Sequence, residues 1–136
     1  MDQKRTVETT LRVRYAETDA MRVAYHANYL VWFEVGRGDY FRALGQDYAE
    51  WEHEGYFLPV SEVYARYHAP ARYGDEITVR TWLEGVQSRS VHLNYEVRDA
   101  ASGRRLVSGW TKHICMDGEG RACRLPPGML SLLEQP

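Results

Sequence analysis

Cysteine is scarce in this sequence: Cys115 and Cys123 are its only two. Two thiols do not make the multi-bridge framework on which small secreted domains rest, and in a reducing compartment they stay reduced, in structural roles. No apolar run is long enough to cross a bilayer, and the opening Met1-Asp2-Gln3-Lys4-Arg5-Thr6 lacks the apolar stretch of a secretory leader. These absences predict a cytoplasmic chain with no membrane insertion. Charge of one sign is missing too. The 17 Lys+Arg against 19 Asp+Glu give a net charge of -2, so there is no bulk attraction to nucleic acid or acidic lipid, and any anion site has to be local.

Several chemistries lack their signatures. The five histidines, His26, His53, His68, His92 and His113, are scattered without ligand spacing or a nearby Cys cluster, which predicts no metal site. There is no Gly-x-Ser-x-Gly elbow, and Ser108-Gly109-Trp110 falls inside a strand pattern, so a serine-hydrolase mechanism does not fit. A glycine-rich phosphate loop is also missing. The strand aromatics Tyr64, Tyr67, Tyr73, Trp82 and Tyr95 come without an RNP motif or a basic balance, and they read as core or interface rather than as a base-stacking sheet.

What is present is the balance of a globular protein, 44% hydrophobic and 26% charged, in a length that suits one domain over residues 1–136. Thr9, Leu11, Val13 and Tyr15 alternate with polar partners as a first strand. Residues 16–25 form a loop carrying two acids, Glu17 and Asp19. From His26 to Gly45 the residues Tyr29, Phe33, Gly36, Tyr40 and Leu44 recur on one helical face, and Gly36 and Gly38 inside that helix imply close contact with a sheet. Gly45 suits the helix end, and residues 46–54 read as a short acidic helix. Four strands follow. They are marked by Val63, Ala65 and Tyr67; by Ile77, Val79, Thr81 and Leu83; by Val91, Leu93, Tyr95 and Val97; and by Leu106, Ser108, Trp110, Lys112 and Ile114. After Pro126-Pro127-Gly128, residues 129–133 suffice for a terminal helical turn. The expected fold is therefore α+β, one helix covering one face of an antiparallel sheet. Trp and Tyr on both faces of the late strands predict a second subunit, in a homodimer or a dimer of dimers.

Chemistry concentrates in the segment Tyr15-Ala16-Glu17-Thr18-Asp19-Ala20-Met21-Arg22-Val23-Ala24-Tyr25-His26-Ala27-Asn28-Tyr29-Leu30. It places the Asp19 carboxylate just before the N-terminus of the long helix, where free N–H groups and the positive end of the helix dipole point outward. An acyl carbonyl at that end would have N–H donors near Tyr25 and His26 for its oxyanion, with Asp19 to attack it or activate water. A simple helix-capping role for Asp19 or Thr18 is the alternative.

This segment, with Trp32-Phe33-Glu34-Val35-Gly36-Arg37 after it, resembles the acyl-CoA thioesterases related to 4-hydroxybenzoyl-CoA thioesterase, including those associated with the bacterial Tol-Pal system. The matching positions are Tyr15, Glu17, Thr18, Asp19, Tyr25, His26, Asn28 and Tyr29. The resemblance implies a hotdog fold, a five-stranded antiparallel sheet wrapped around one long central helix. It implies sheets joined edge to edge, with active sites between subunits. It implies Asp19 as nucleophile or general base, the backbone N–H of His26 as oxyanion donor, and no cofactor beyond the coenzyme A of the substrate. The acyl group would rest against Tyr25, Tyr29 and Trp32 of one subunit and Leu58-Pro59-Val60-Ser61 of the other. Arg89 and Ser90 match the family's phosphate contacts best, with Arg72 and Arg121 as further candidates.

One position departs from the family. Its Asp-x-x-Gly pattern reads Asp19-Ala20-Met21-Arg22 here, so either the turn uses ordinary dihedrals or Arg22 is strained. Glu17 and Glu34 are candidate neighbours that would raise the Asp19 pKa, or else structural acids. Two other functions remain open at this point: a hotdog dehydratase or hydratase, and a non-catalytic module that binds acyl-CoA.

Overall fold

Tyr29, Phe33, Gly36 and Tyr40 are all buried on the face that the four-and-three spacing selects, and they anchor a 16-residue helix over Asn28–Ala43. At the rise of an α-helix this makes a rod of about 24 Å. The computed structural model, which describes residues 5–134, wraps a five-stranded antiparallel sheet around that rod. This is the hotdog arrangement that the resemblance implies.

In chain order the elements are β1 (Thr6–Arg12), α1 (Asn28–Ala43), α2 (Tyr48–His53), β2 (Val60–Tyr67), β3 (Glu76–Val86), β4 (Ser90–Asp99), β5 (Arg105–Ile114) and α3 (Met129–Leu133). The spatial order is β1-β3-β4-β5-β2, so the second strand crosses to the far edge. The first strand lies earlier than its alternation suggested. It ends at Arg12, and Tyr15–Glu17 is a single 3-10 turn with Tyr15 exposed.

The core lies between α1 and the sheet. Ile77, Val79 and Thr81 of β3 and Val91, Leu93, Tyr95 and Val97 of β4 point inward as their period-2 pattern requires. Phe33 stacks on Tyr95 at 4.4 Å, and Gly36 lets the helix backbone approach Thr81 and Val79. Gly45 ends the α1 segment at φ 89°.

On β5 the buried residues are Leu106, Val107, Thr111 and His113, so of the set Leu106, Ser108, Trp110, Lys112 and Ile114 that hydropathy brings forward only Leu106 is in the core. The pairing register between β4 and β5 is unbroken from Ser90–Ile114 to Val97–Val107, and the slip between Val97 and Arg98 leaves Leu106 buried beside Val107. Trp110, paired with Asn94 in that unbroken stretch, is on the outer face, stacked with Tyr64 at 5.9 Å and beside His92 at 5.2 Å.

β2 is an edge strand, and Val60, Val63, Tyr64 and Tyr67 on it are each close to half exposed. Edge strands of globular proteins are normally shortened, charged or covered, whereas this eight-residue edge leaves four large apolar side chains half exposed. No helix is long and apolar enough to cross a membrane among the described residues.

Candidate active site

The loop before α1 is organised by a tight hairpin. Thr18 bridges Ala24, the Asp19 N–H donates to the Val23 carbonyl at 2.9 Å, and the Arg22 N–H donates to the Asp19 carbonyl at 2.9 Å. Such a turn closes on a residue in the left-handed region, which is why glycine suits that position. Arg22 occupies it at φ 65°, the only positive-φ residue other than glycine among those described. Of the two possibilities open in the sequence, the strained one is realised. The Asp19 side chain accepts from the Met21 N–H at 2.8 Å and is otherwise exposed.

Glu17 ties this hairpin to the helix. Its buried carboxylate accepts from the Arg14 N–H and from the Trp32 indole N–H, each at 2.8 Å. Its backbone carbonyl accepts from the Tyr25 N–H and the Asn28 side chain, also at 2.8 Å. Glu17 is thus a structural acid. The same bonds separate the two candidate oxyanion donors. The Tyr25 N–H is consumed by Glu17, whereas the His26 N–H has no acceptor among the described residues. His26 lies in the turn just before the N-cap Ala27 of α1, on the side where the helix dipole favours negative charge.

Asp19, His26 and Tyr29 line one cleft of about 360 Å3, together with Val23, Ala24, Tyr67, His68, Ala69 and Pro70. Tyr67, which the sequence marks only as a core or interface aromatic, belongs to this cleft. Its hydroxyl donates to the His26 carbonyl at 2.9 Å and its ring meets Tyr29 at 5.4 Å, so the end of β2 holds the start of α1. Nothing in the sequence links positions 26 and 67; only the sheet does. The Tyr29 hydroxyl accepts from the Ala71 N–H at 3.0 Å, and burial raises the phenol pKa of Tyr29 and of Tyr67. Both are neutral hydrogen-bonding groups at physiological pH.

The other predicted residues fall elsewhere. Trp32 lies a layer beneath the cleft, 1% exposed and bound to Glu17. Tyr25 is exposed beside the cleft, its ring 4.4 Å from that of His26. Arg72 is exposed and bridges Val23 through its backbone. Val60 and Ser61 start β2, at the end away from Tyr67. Ser61 and Ser90 share a second cavity of about 460 Å3. Arg89 is exposed in the β3–β4 turn, and Arg121 pairs with Asp117 and Glu119. A larger cavity than this cleft, about 760 Å3, runs along the outer side of α1 past Val31, Glu34 and Val35 to Leu58 and Pro59. It does not include Asp19, so cavity size alone would point away from the carboxylate and the free N–H.

The described residues contain no group of three or more His, Cys, Asp or Glu arranged to hold a metal ion. What the cleft brings together is the exposed Asp19 and a His26 whose N–H has no acceptor among the described residues.

The sequence profile of the Thioesterase-like superfamily matches residues 13–133, almost the whole chain. The chain belongs to this superfamily. Among superfamily relatives, YneP of Bacillus subtilis, whose name carries a provisional acyl-CoA thioesterase assignment, is 39% identical over 109 residues, 80% of this chain and 78% of its own. A crystal structure of the DHNA-CoA thioesterase of Staphylococcus aureus superposes with a TM-score of 0.87 at 34% identity, over 93% of this chain and 85% of that one. The hypothetical protein TT1821 of Thermus thermophilus gives a TM-score of 0.88 at 39% identity, over 93% and 95% of the two chains. The hotdog fold of this superfamily member is the one its neighbours share.

Proposed function

We propose that this protein hydrolyses acyl-CoA thioesters to the free carboxylic acid and coenzyme A, with Asp19 as the catalytic carboxylate and the His26 N–H as the oxyanion donor. The observation that carries this reading is that His26, whose N–H has no acceptor among the described residues, lines the same cleft as the exposed Asp19. The thioesterase names of YneP and of the Staphylococcus aureus protein support the substrate class.

The thioester carbonyl oxygen points at the His26 N–H, whose hydrogen bond strengthens as the oxygen becomes an oxyanion. Asp19 then acts in one of two ways. As a general base it takes a proton from a water that attacks the carbonyl carbon; as a nucleophile it forms a mixed anhydride that water cleaves afterwards. In either case the C–S bond breaks and coenzyme A leaves as a thiolate.

The site is shared by two chains. A twofold pairing of β2 with β2 is antiparallel and self-complementary, so the Val60 end of one strand meets the Tyr67 end of the other. Tyr67 is bonded to His26, so the partner's Leu58-Pro59-Val60-Ser61 stretch would lie beside the cleft. The cavity of about 760 Å3 behind Leu58 and Pro59 is then the natural place for the acyl chain. Coenzyme A follows the surface towards Arg89 and Ser90, with Arg72 nearer the carboxylate. Arg121, already engaged by Asp117 and Glu119, is the weaker phosphate ligand.

The test is release of free thiol from short, long and aromatic acyl-CoAs by wild-type protein and by Asp19→Asn. The expected result is turnover by the wild type and a loss of at least about 100-fold in the variant, with binding retained. Tight acyl-CoA binding without hydrolysis by either protein would make this a binding module instead. Activity confined to β-hydroxyacyl or enoyl thioesters, with water added or removed rather than thiol released, would make it a hydratase.

A further inference from the structure

Cys115 and Cys123 play no part in the site described above. Cys115 follows the end of β5 and is fully buried; Cys123 is half-buried on the chain that returns from the turn at residues 117–120. The turn is tight. The Asp117 carboxylate accepts from the Glu119 N–H at 2.9 Å and the Arg121 N–H at 3.0 Å, and Gly120 takes φ 79°. Met116 and Ala122 pair across it, which sets Cys115 opposite Cys123, and the Cys123 N–H donates to the Cys115 carbonyl at 2.9 Å. The two sulfur atoms lie 3.4 Å apart as free thiols. Only a small side-chain rotation separates that distance from the roughly 2.05 Å of a disulfide.

We propose that Cys115 and Cys123 form a thiol–disulfide exchange site, which a small-molecule disulfide of the glutathione type converts reversibly into an intrachain disulfide. The Cys123 thiolate attacks the oxidant, forms a mixed disulfide and releases one glutathione thiolate. The Cys115 sulfur then attacks the Cys123 sulfur, forms the internal bond and expels the second glutathione, which takes the Cys115 proton. Two protein thiols lose two electrons in all, and one glutathione disulfide becomes two glutathione thiols.

The order of attack follows from the surroundings. Burial pushes the Cys115 thiol up to about 12, with the Cys123 contact adding to it, so the more accessible Cys123 meets the oxidant first. Cys115 is a poor free nucleophile, but it is held against its target, and that proximity raises its effective concentration.

The bond would lock a segment with long-range connections. The Cys115 N–H donates to the Arg89 carbonyl at 2.8 Å and the Leu125 N–H to the Ser88 carbonyl at 2.9 Å, so both flanks of the cysteine pair are tied to the β3–β4 turn. Met116 exchanges two backbone hydrogen bonds with Phe57, each 2.9 Å.

The experiment equilibrates the full-length protein in buffers of rising oxidised-to-reduced glutathione ratio, traps free thiols by alkylation and maps the peptides by mass spectrometry. The expected result is joint loss of both thiols, a Cys115–Cys123 linkage within one chain, slower amide exchange at Cys115 and Cys123, and full recovery on reduction. Cys115→Ser should stop at a lasting mixed disulfide on Cys123, and Cys123→Ser should leave Cys115 unmodified. Two free thiols at saturating oxidant would overturn the proposal. So would a stable mixed disulfide on wild-type Cys123, or a linkage between chains. The wild-type map decides the matter even if a variant folds poorly.

Discussion

Arg22 donates its backbone N–H to the carbonyl of Asp19 over 2.9 Å while standing at φ 65°, so the residue that closes the turn around the candidate carboxylate is the one strained by it. An L-residue with a long side chain in the left-handed region costs roughly 1–2 kcal/mol that glycine does not. Arg22→Gly is expected to raise stability by about 1 kcal/mol, part of the relief being offset by the greater entropy of the unfolded chain. Urea denaturation midpoints measure this. A midpoint below wild type would mean that the Arg22 side chain makes compensating contacts.

Glu17 and Trp32 form the second strut of the site. Glu17→Ala leaves the buried Trp32 indole N–H and the part-buried Arg14 N–H without an acceptor. At about 1–3 kcal/mol for the buried indole N–H and less for the part-buried Arg14 N–H, the expected loss is roughly 2–4 kcal/mol. Glu17→Gln, which keeps one acceptor oxygen, should lose clearly less. Denaturation of the two variants, with the indole N–H resonance as a local probe, distinguishes this strut from a catalytic acid.

Gly36 and Gly38 differ by two positions in α1 and should respond to alanine with opposite signs. A Cβ on Gly36 would sit 2.5 Å from Thr81 Oγ1 and 2.8 Å from Val79 Cγ1, both on the packed sheet. Overpacking of that kind costs about 1–3 kcal/mol, more than the helix propensity gained. A Cβ on Gly38 meets only the flexible end of Arg42, at 3.3 Å. Gly38→Ala should therefore stabilise by about 0.5–1 kcal/mol. Thermal unfolding of both variants checks the pair, and equal shifts would contradict the packing assigned to Gly36.

His113 gives the protein an acid limit. It is 1% exposed, its Nδ1–H donates to the Leu58 carbonyl at 2.9 Å, and its Nε2 accepts from Thr111 at 2.8 Å. Burial, followed by the positive charge of Arg37, lowers its pKa to about 4. Between about pH 6.5 and about pH 4 the unfolded chain binds a proton that the folded one does not. The contribution is therefore fully present above pH 6.5 and is lost as the pH falls towards 4, up to about 3 kcal/mol. Stability of His113→Asn measured across that range should show a shallower acid decline than wild type, and parallel curves would refute the assignment.

The helix face, the inward patterns of β3 and β4 and the Asp19 loop were all readable in the sequence, because each depends on neighbours within a turn or a strand. Two other assignments needed the fold. The core side of β5 follows from its pairing with the inward residues Val91, Leu93 and Val97 of β4, which hydropathy does not encode, and a Trp at 110 makes the outer face look like the inner one. Trp32 looked like an acyl contact from its place in the motif, yet its indole is bound to Glu17, fifteen residues away in the chain.

By itself the sequence determined the class of fold, the one long helix with its small residues against the sheet, and the resemblance centred on Asp19 and His26. These are set by local periodicity and by short motifs, which survive without knowledge of distant contacts. Only the tertiary structure decided which N–H remains free, because Tyr25 loses its own to the Glu17 carbonyl whereas His26 does not. It alone put Tyr67 on His26 and Cys115 against Cys123. Those relationships arise from strand order and register, β1-β3-β4-β5-β2, which bring together residues whose separation along the chain carries no signal.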